Sequence, residues 1–411
     1  MTVCLGEGAV EVGTLAFETS GNRRMASFAY ADTWLASNSR FALSPDLPLV
    51  TGYQFRAHKI PDQSAFFGCF EDTEPDGWGR MVITRDHAKQ RKEPGGQQLP
   101  TGPLNDFDFL LWVNDYSRMG ALRLRDANGV FHRPSGGRRD IPPLIELPHL
   151  LSASKAVEEN KETARDLEYL RGRATSLGGL RPKCSLVDAD GSLAIGKFPS
   201  VKDTRSVVHG EVLALSLAKA AGINAATARV VDSAGVPVAV VTRFDRLKGK
   251  RLMYLSARSL MDAAPAEQYS YVDIADTIRM YGSQAAADLQ ELWRRMVFNI
   301  LINNVDDHLN NHGFLHHAHG QWKLAPAFDL NPFPDKERAL KTWISEMSGD
   351  WASLTDAISV AQLFGLSKGR TAEVLGEVKS AIRNWRKVAR KIGMSDADVR
   401  SYAPAFAHPK L

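Results

Sequence analysis

The chain has 411 residues, 44% of them apolar, 24% charged and 9% aromatic, with 51 basic against 47 acidic side chains and a formal charge of +4. These are ordinary values for a soluble globular protein long enough to bury two cores, and they exclude a disordered chain and a strongly basic, dedicated nucleic-acid binder. Cys4, Cys69 and Cys184 are odd in number, far apart and without CxxC or CxxH spacing, which argues against a disulfide framework or a zinc site and for a reducing compartment.

In chain order, residues 1 to about 60 carry short alternating segments, AVEVGTLAFET, MASFAYADTWL and LPLVTGYQF, broken by Gly, Asn and Pro as in an antiparallel sheet. The turn EPDG then predicts a helix from Trp78, and 92–104 is a Gly and Pro-rich loop. Residues 105–126 predict a helix, a turn and a strand. An Arg, Gly and Pro-rich stretch with RPSGGRRDIPP follows, so the expected division is a module at 1–130, a linker at 131–149 and a second domain at 150–411. In that domain 150–172 predicts one amphipathic helix, SLGGLRPKCSLVDADGSLAIGKFPS a loop and two strands, and 207–221 a helix. Strands continue to about 246, and helical periodicity dominates from about 255. It is clearest at 287–302, with Leu289, Leu292, Trp293, Met296, Val297, Ile300 and Leu301 on one stripe. There is no solenoid repeat, no run of eighteen apolar residues and no basic-then-apolar start, so a cytoplasmic protein without membrane attachment is expected.

That apolar helix runs directly into NNVDDHLNNHGF, with four Asn, two Asp and two His in twelve positions, and LAPAFDL follows downstream. Asp306 and Asn311 are five residues apart and Asp329 comes eighteen later. Phosphoryl transfer calls for such a set: one Asp to accept the proton of the attacking hydroxyl, an Asn and a second Asp to hold magnesium against nucleotide phosphates. An Asn and Asp-rich loop that caps helices and turns has the same composition, and spacing alone does not separate the two. Upstream, SLGGLRPK places two glycines before Arg181 and Lys183, so backbone amides can approach a phosphate, although a Gly turn before a strand has the same appearance. Lys197 lies within an apolar strand, either as a phosphate-binding Lys or as an edge residue facing water. Glu211 on the next helix is a candidate ion-pair partner, with a solvated glutamate near the helix start the simpler expectation. His308 and His312 have the i, i+4 spacing of a metal pair, but Asn and Gly interrupt the segment and no Glu follows His308. His308 is read instead as orienting its loop through hydrogen bonds, Asn303, Asn304 and Asn310 as turn and capping residues, and Asp307 has no assigned role. No GxSxG surrounds any Ser, which leaves no sign of a hydrolase triad.

Together these stretches resemble the HipA-like serine/threonine kinases of bacterial type II toxin-antitoxin systems over nearly the whole chain. FALSPDLPL, FEDTEPDGWGR and RMGALRL resemble the family's N-terminal module; GGLRPK, GKFPS, TRFDR, NNVDDHLNNHGFL and LAPAFDL follow in the family's order. The resemblance implies an α+β, bilobal protein-kinase-like fold, with a sheet-rich N-lobe that includes the N-terminal module, and a helical C-lobe. It implies ATP and Mg2+ as cofactors, Asp306 as catalytic base, Asn311 and Asp329 as magnesium ligands and Lys197 on the phosphates. It further implies a phosphate loop at Gly178, Gly179, Leu180, Arg181, Pro182 and Lys183, and an adenine-binding hinge at Thr242, Arg243 and Phe244. His308, Leu309, Asn310 and Phe328 flank the nucleotide site. Ser176 stands where the family's autophosphorylated Ser precedes the glycines, a modification that expels the loop. Thr242 departs from members that have a carboxylate there, which puts only a side-chain contact in doubt. The implied partners are a small helix-turn-helix antitoxin, operator DNA mainly through that antitoxin, and a protein substrate of the aminoacyl-tRNA synthetase class. A small-molecule kinase and a catalytically idle, kinase-like binding or regulatory module are the alternatives.

Overall fold

The computed structural model describes the chain apart from residues 22, 59–63, 76, 94–95, 97–98, 100, 133–140, 172, 174–178, 265–266 and 409–411. It forms two compact units, Met1–Lys202 with Asp232–Leu255, and Asp203–Val231 with Ser256–Leu411. Among the described residues no helix is long and apolar enough to cross a membrane, and the three cysteines are buried free thiols.

The first unit opens with strands β1 (Thr2–Leu5), β2 (Val10–Ser20), β3 (Arg23–Tyr30) and β4 (Tyr53–His58). Helices α1 (Gly77–Gln90) and α2 (Asp106–Trp112) come next, then β5 (Leu122–Arg125). The five strands make one sheet in the order β4-β3-β2-β1-β5, and each of its four neighbouring pairs is antiparallel. Alternation decides which face is dry: Ala26, Phe28 and Tyr30 of β3 are buried together with Leu15 of β2, which stands opposite Phe28. The helix from Trp78 and the helix, turn and strand of 105–126 form as expected; Asn105 and Asp108 close a capping box at the start of α2.

The single helix expected over 150–172 is instead two, α3 (Leu147–Glu158) and α4 (Ala164–Leu170). Asn160 turns left-handed at φ 57°, which ends the first, and Thr163 with Asp166 caps the second. Strands β6 (Lys183–Val187), β7 (Leu193–Lys197) and β8 (Val236–Thr242) then pair antiparallel with β7 between the other two.

A charged hub lies inside this unit. Asp245 is 1% exposed, and its carboxylate takes bonds from Arg243 Nε at 2.8 Å, Arg246 Nη1 at 2.6 Å and the Gly120 amide at 2.8 Å. Arg243 also donates to the Ser117 carbonyl, and Arg251 to the Asp115 carbonyl, both at about 2.7 Å or less. Burial alone would raise the Asp245 carboxyl; the two guanidiniums overcome it and hold the group far below the usual carboxylate range.

The second unit contains α5 (Val207–Ala220), α6 (Tyr271–Tyr281) and α7 (Ala285–Leu301). The hairpin β9 (Gly313–Ala318) and β10 (Gln321–Leu324) follows, and then helices that include α8 (Lys368–Arg383) and α9 (Trp385–Lys391). The expected stripe of α7 is core: Leu292, Trp293, Met296, Val297, Ile300 and Leu301 are all fully buried. The helix also buries Asp288, Arg295 and Asn299, spaced seven and four residues apart and therefore on one face. Asp288 accepts from the Leu324 amide at 3.0 Å, and Arg295 donates to the Ala325 carbonyl at 2.9 Å, so this polar face holds the end of the hairpin.

Candidate active site

The loop after α7 stands on a buried polar scaffold. Asn304 is 1% exposed and donates its side-chain amide to Asn299 Oδ1 at 3.1 Å, and Asn299 Nδ2 in turn donates to Asp307 Oδ2 at 2.9 Å and to the Tyr271 hydroxyl at 3.0 Å. The Tyr271 hydroxyl donates to the same Asp307 oxygen. His312 Nε2 lies 3.0 Å from that oxygen, within reach of charge attraction but off the direction a hydrogen bond requires. Burial pushes the Asp307 carboxyl up; the adjacent His312, the Tyr271 hydroxyl and the charge of His308 outweigh it and hold the group below the ordinary carboxylate range. Asp307 is thus a buried carboxylate bonded from several sides, which fixes the backbone on either side of it.

Its neighbour Asp306 is left outward, with its side chain 39% exposed. Asn311 Nδ2 donates to the Asp306 carbonyl at 3.1 Å, while the backbone amides of His308 and Asn311 close the turn on the Asp306 and His308 carbonyls. The amide oxygen of Asn311, the one atom of that side chain able to hold a cation, has no protein donor among the described residues. Leu309–Asn311 form a single helical turn, with Asn310 exposed. His308 closes the turn through its backbone amide and carbonyl, and the imidazole that faces Asp307 is that of His312. Asn303 and Asn304 cap the C-terminus of α7 as expected, the Asn303 amide donating to the Ile300 carbonyl and the Asn304 amide to the Asn299 carbonyl. Both are buried, and Asn303, left-handed at φ 55°, donates to the Phe333 and Lys336 carbonyls.

The hairpin brings the far end of the motif back. Phe314 pairs with Leu324, so the chain before β9 and the chain after β10 lie at the same end of the ladder. Ala327 is pinned there by bonds with Asn224 and Ala226 at 2.8 Å, and Asp329 follows two residues on, at φ 55°. Asn331 Nδ2 donates to Asp329 Oδ1 at 3.2 Å. Among the described residues Lys341 is the cation that meets Asp306 directly, its Nζ 2.7 Å from Oδ1.

In the first unit, Lys197 stands on β7 between β6 and β8, so it is not an edge residue; it pairs with Lys183 on one side and Ala239 on the other. Gly179 is left-handed at φ 92°, and a side chain there would run into the Lys183 ammonium. Lys183 itself is buried and begins β6. Trp78, at the start of α1, donates its backbone amide to the Gly179 carbonyl at 3.1 Å and its indole N–H to the Lys183 carbonyl at 3.0 Å, so the glycine turn is tied down at both ends. A side chain on Gly77 would press on Leu180, whose side chain would have to give way. Leu180 is exposed, Arg181 half-buried, and the Pro182 carbonyl accepts from the Phe198 amide at 3.0 Å. Ser176 and Gly178 lie outside the described residues. Thr242 ends β8, and the Phe244 ring lies tilted at 44° to that of Tyr254, while the Arg243 side chain is spent in the Asp245 hub and leaves only backbone for any ligand. Glu211 in the second unit is 4% exposed, the reverse of the solvated glutamate expected from its sequence context.

Of the groups around the loop, the sequence reading leaves out Tyr271, Asn299 and Lys341, gives Asp307 no role and takes up His312 only as half of a disfavoured metal pair with His308. For Asn299 the signal was present, as a polar face at Asp288, Arg295 and Asn299 on a helix otherwise apolar.

A sheet-bearing unit with a pinned glycine turn and a helical unit with an Asp-rich loop belong to a kinase-like fold. With a TM-score of 0.66 at 16% identity, over 99% of this chain and 96% of the other, the fold matches the protein of "Shewanella oneidensis MR-1 Toxin Antitoxin System HipA, HipB and its operator DNA complex". Residues 1–125 match the HipA N-terminal domain and residues 175–385 the HipA-like C-terminal domain, and the chain belongs to that family. "Putative kinase Y4mE" of Sinorhizobium fredii is 25% identical over 92% of this chain and 91% of its own length. A "Putative kinase" of Haemophilus influenzae is 28% identical over 39% of this chain and 54% of its own length.

Proposed function

We propose that the protein is an ATP- and Mg2+-dependent serine/threonine protein kinase acting as the toxin of a type II toxin-antitoxin system. The observation that carries the reading is the division within one loop between Asp307, buried and locked, and Asp306, exposed beside an Asn311 whose amide oxygen is unclaimed among the described residues. In the reaction Asp306 accepts the proton of the attacking hydroxyl as the new O–P bond forms and the bond to ADP breaks. Asn311 and Asp329 supply hard oxygen donors suited to magnesium, which when bound neutralises phosphate charge. Lys197 and the backbone of the 178–183 turn receive the phosphates, and the backbone at Thr242–Phe244 the adenine, with His308, Leu309, Asn310 and Phe328 around the nucleotide.

The same proposal divides the chain into a HipA N-terminal-like module at 1–130, a linker at 131–149 and a kinase domain at 150–411. Its further parts are autophosphorylation at Ser176, a protein substrate such as an aminoacyl-tRNA synthetase, a small HipB-like helix-turn-helix antitoxin through which operator DNA is contacted, and a cytoplasmic location. Incubation with labelled ATP and magnesium tests it. Label is expected on the chain or on a protein in a cell lysate, reduced to a slow residual rate in Asp306→Asn, and its self-directed part lost in Ser176→Ala. Absence of label in the wild type overturns the kinase reading; unchanged self-labelling of Ser176→Ala overturns only that modification.

A further inference from the structure

We infer that Lys341 is a positioning residue for Asp306, an inference that rests on reading Asp306 as the base. Three observations meet at this pair. Lys341 Nζ lies 2.7 Å from Asp306 Oδ1, and among the described residues it is the only side chain bonded to that carboxylate. Both side chains are substantially exposed, at 59% and 39%, and an ion pair in water adds little to stability, so holding the fold together is a poor explanation for it.

The segment that carries Lys341 is also fixed from behind. The Gln268 side chain donates to the Lys341 carbonyl at 2.6 Å, the Trp343 amide donates to Tyr269 at 3.0 Å, and the Tyr271 amide donates to Trp343 at 2.8 Å. Thr342 is buried. Tyr271 is the residue whose hydroxyl meets Asp307, so one short stretch anchors both the backbone under Asp306 and the cation on its carboxylate. A long, flexible Lys on a mobile loop would visit the carboxylate by chance; here its Cα is set by the scaffold that sets the loop.

The chemical use follows from what a base must do. As the acceptor hydroxyl attacks the γ-phosphorus, its proton passes to Asp306, the new O–P bond forms, and the bridging P–O bond breaks with its electron pair leaving on ADP. A carboxylate free to rotate offers its oxygen to that proton only part of the time. With Oδ1 held by Lys341, Oδ2 is the oxygen presented to the hydroxyl.

Label transfer from γ-labelled ATP, to the chain itself and to dephosphorylated casein, tests this at saturating and limiting ATP. Lys341→Met is expected to lower kcat by about 100-fold, the scale of a misplaced catalytic group, while KM for ATP stays within about twofold. Lys341→Arg keeps a cation in reach and is expected to restore part of kcat. In an Asp306→Asn background, measured under single-turnover conditions, Lys341→Met is expected to cost nothing further, because the two act as a unit. Wild-type kcat in Lys341→Met, or the same fold loss with and without Asp306, overturns the inference and leaves the kinase reading intact. A wild type that transfers no label overturns both. An unchanged melting temperature in Lys341→Met separates lost positioning from lost fold.

Discussion

Asp306 and Asp307 are chemically identical neighbours in opposite surroundings, the first exposed and the second buried and bonded. Asp307 is held ionised by His312, Tyr271 and Asn299, and its cost of burial is offset only while those groups stay. Tyr271→Phe removes a donor to a charged acceptor and is expected to cost about 1.5–3 kcal/mol, read from urea unfolding. A loss below half of that would show that the bond is not a supporting one. Because the folded Asp307 carboxyl titrates below its unfolded value, its contribution is complete above the ordinary carboxylate range and is lost as pH falls through the folded value. Asp307→Asn should therefore weaken the protein at neutral pH and flatten the acid limb of its stability profile. Glu74 works in the other direction. Burial pushes it up to about 8, and Arg80 at 3.4 Å offsets only part of that shift. Its contribution is full below its unfolded value near 4.5 and disappears as pH rises through about 8, so stability should decline across that window. Glu74→Gln is expected to remove the decline, and melting temperatures from pH 5 to 9 that fall equally in both proteins would refute it.

Elements show which parts of the architecture a sequence reveals. The apolar stripe of α7 could be read directly because periodicity is local, and the strands around the Asp188 to Gly191 turn could be read because turn residues bracket them. The exposed members of the Asp-rich loop were legible by type and spacing. Of its supports, Asn299 was legible as part of the polar face of α7, whereas Tyr271 and Lys341 reach the loop from separate places in the chain, contacts of which a single sequence carries no record. The break between α3 and α4 was missed for a different reason: amphipathic spacing continues across it, and only the left-handed Asn160 and the Thr163 cap reveal the stop. Trp78 is a further case, visible as a core aromatic but not as the clasp on the 179–183 turn. Trp78→Phe keeps most of the volume and loses the indole bond to Lys183, about 1 kcal/mol, while Trp78→Ala should cost about 3–5 kcal/mol through the cavity. Under the proposed function both should also weaken nucleotide binding, measured by titration with a fluorescent ATP analogue; unchanged affinity in Trp78→Phe would dissociate the clasp from the phosphates.

For the molecule as a whole, the first unit is discontinuous, since its last stretch, Asp232–Leu255, follows an excursion into the second. The hub around Asp245 is made of pieces far apart in sequence, with Arg251 reaching Asp115 across 136 positions. Asp245→Asn would leave two guanidiniums buried against a neutral amide and is expected to lower stability by about 3–5 kcal/mol, the cost of breaking a buried ion pair, checked by calorimetry. Wild-type stability in that variant would mean that the hub is dispensable.

The spacing of that hub also sets a schedule for biosynthesis. A ribosome adding about 5–20 residues per second needs roughly 7–27 s to pass from Asp115 to Arg251. Throughout that interval the nascent N-terminal segment lacks the guanidiniums of Arg243, Arg246 and Arg251 that close the carbonyls at 115–118, although Arg123, once made, already holds the Asp115 carboxylate. The emerging chain is thus exposed to chaperones and proteases until its middle has been translated, and a fragment ending at residue 130 should be degraded faster than the full chain, which pulse-chase labelling would measure.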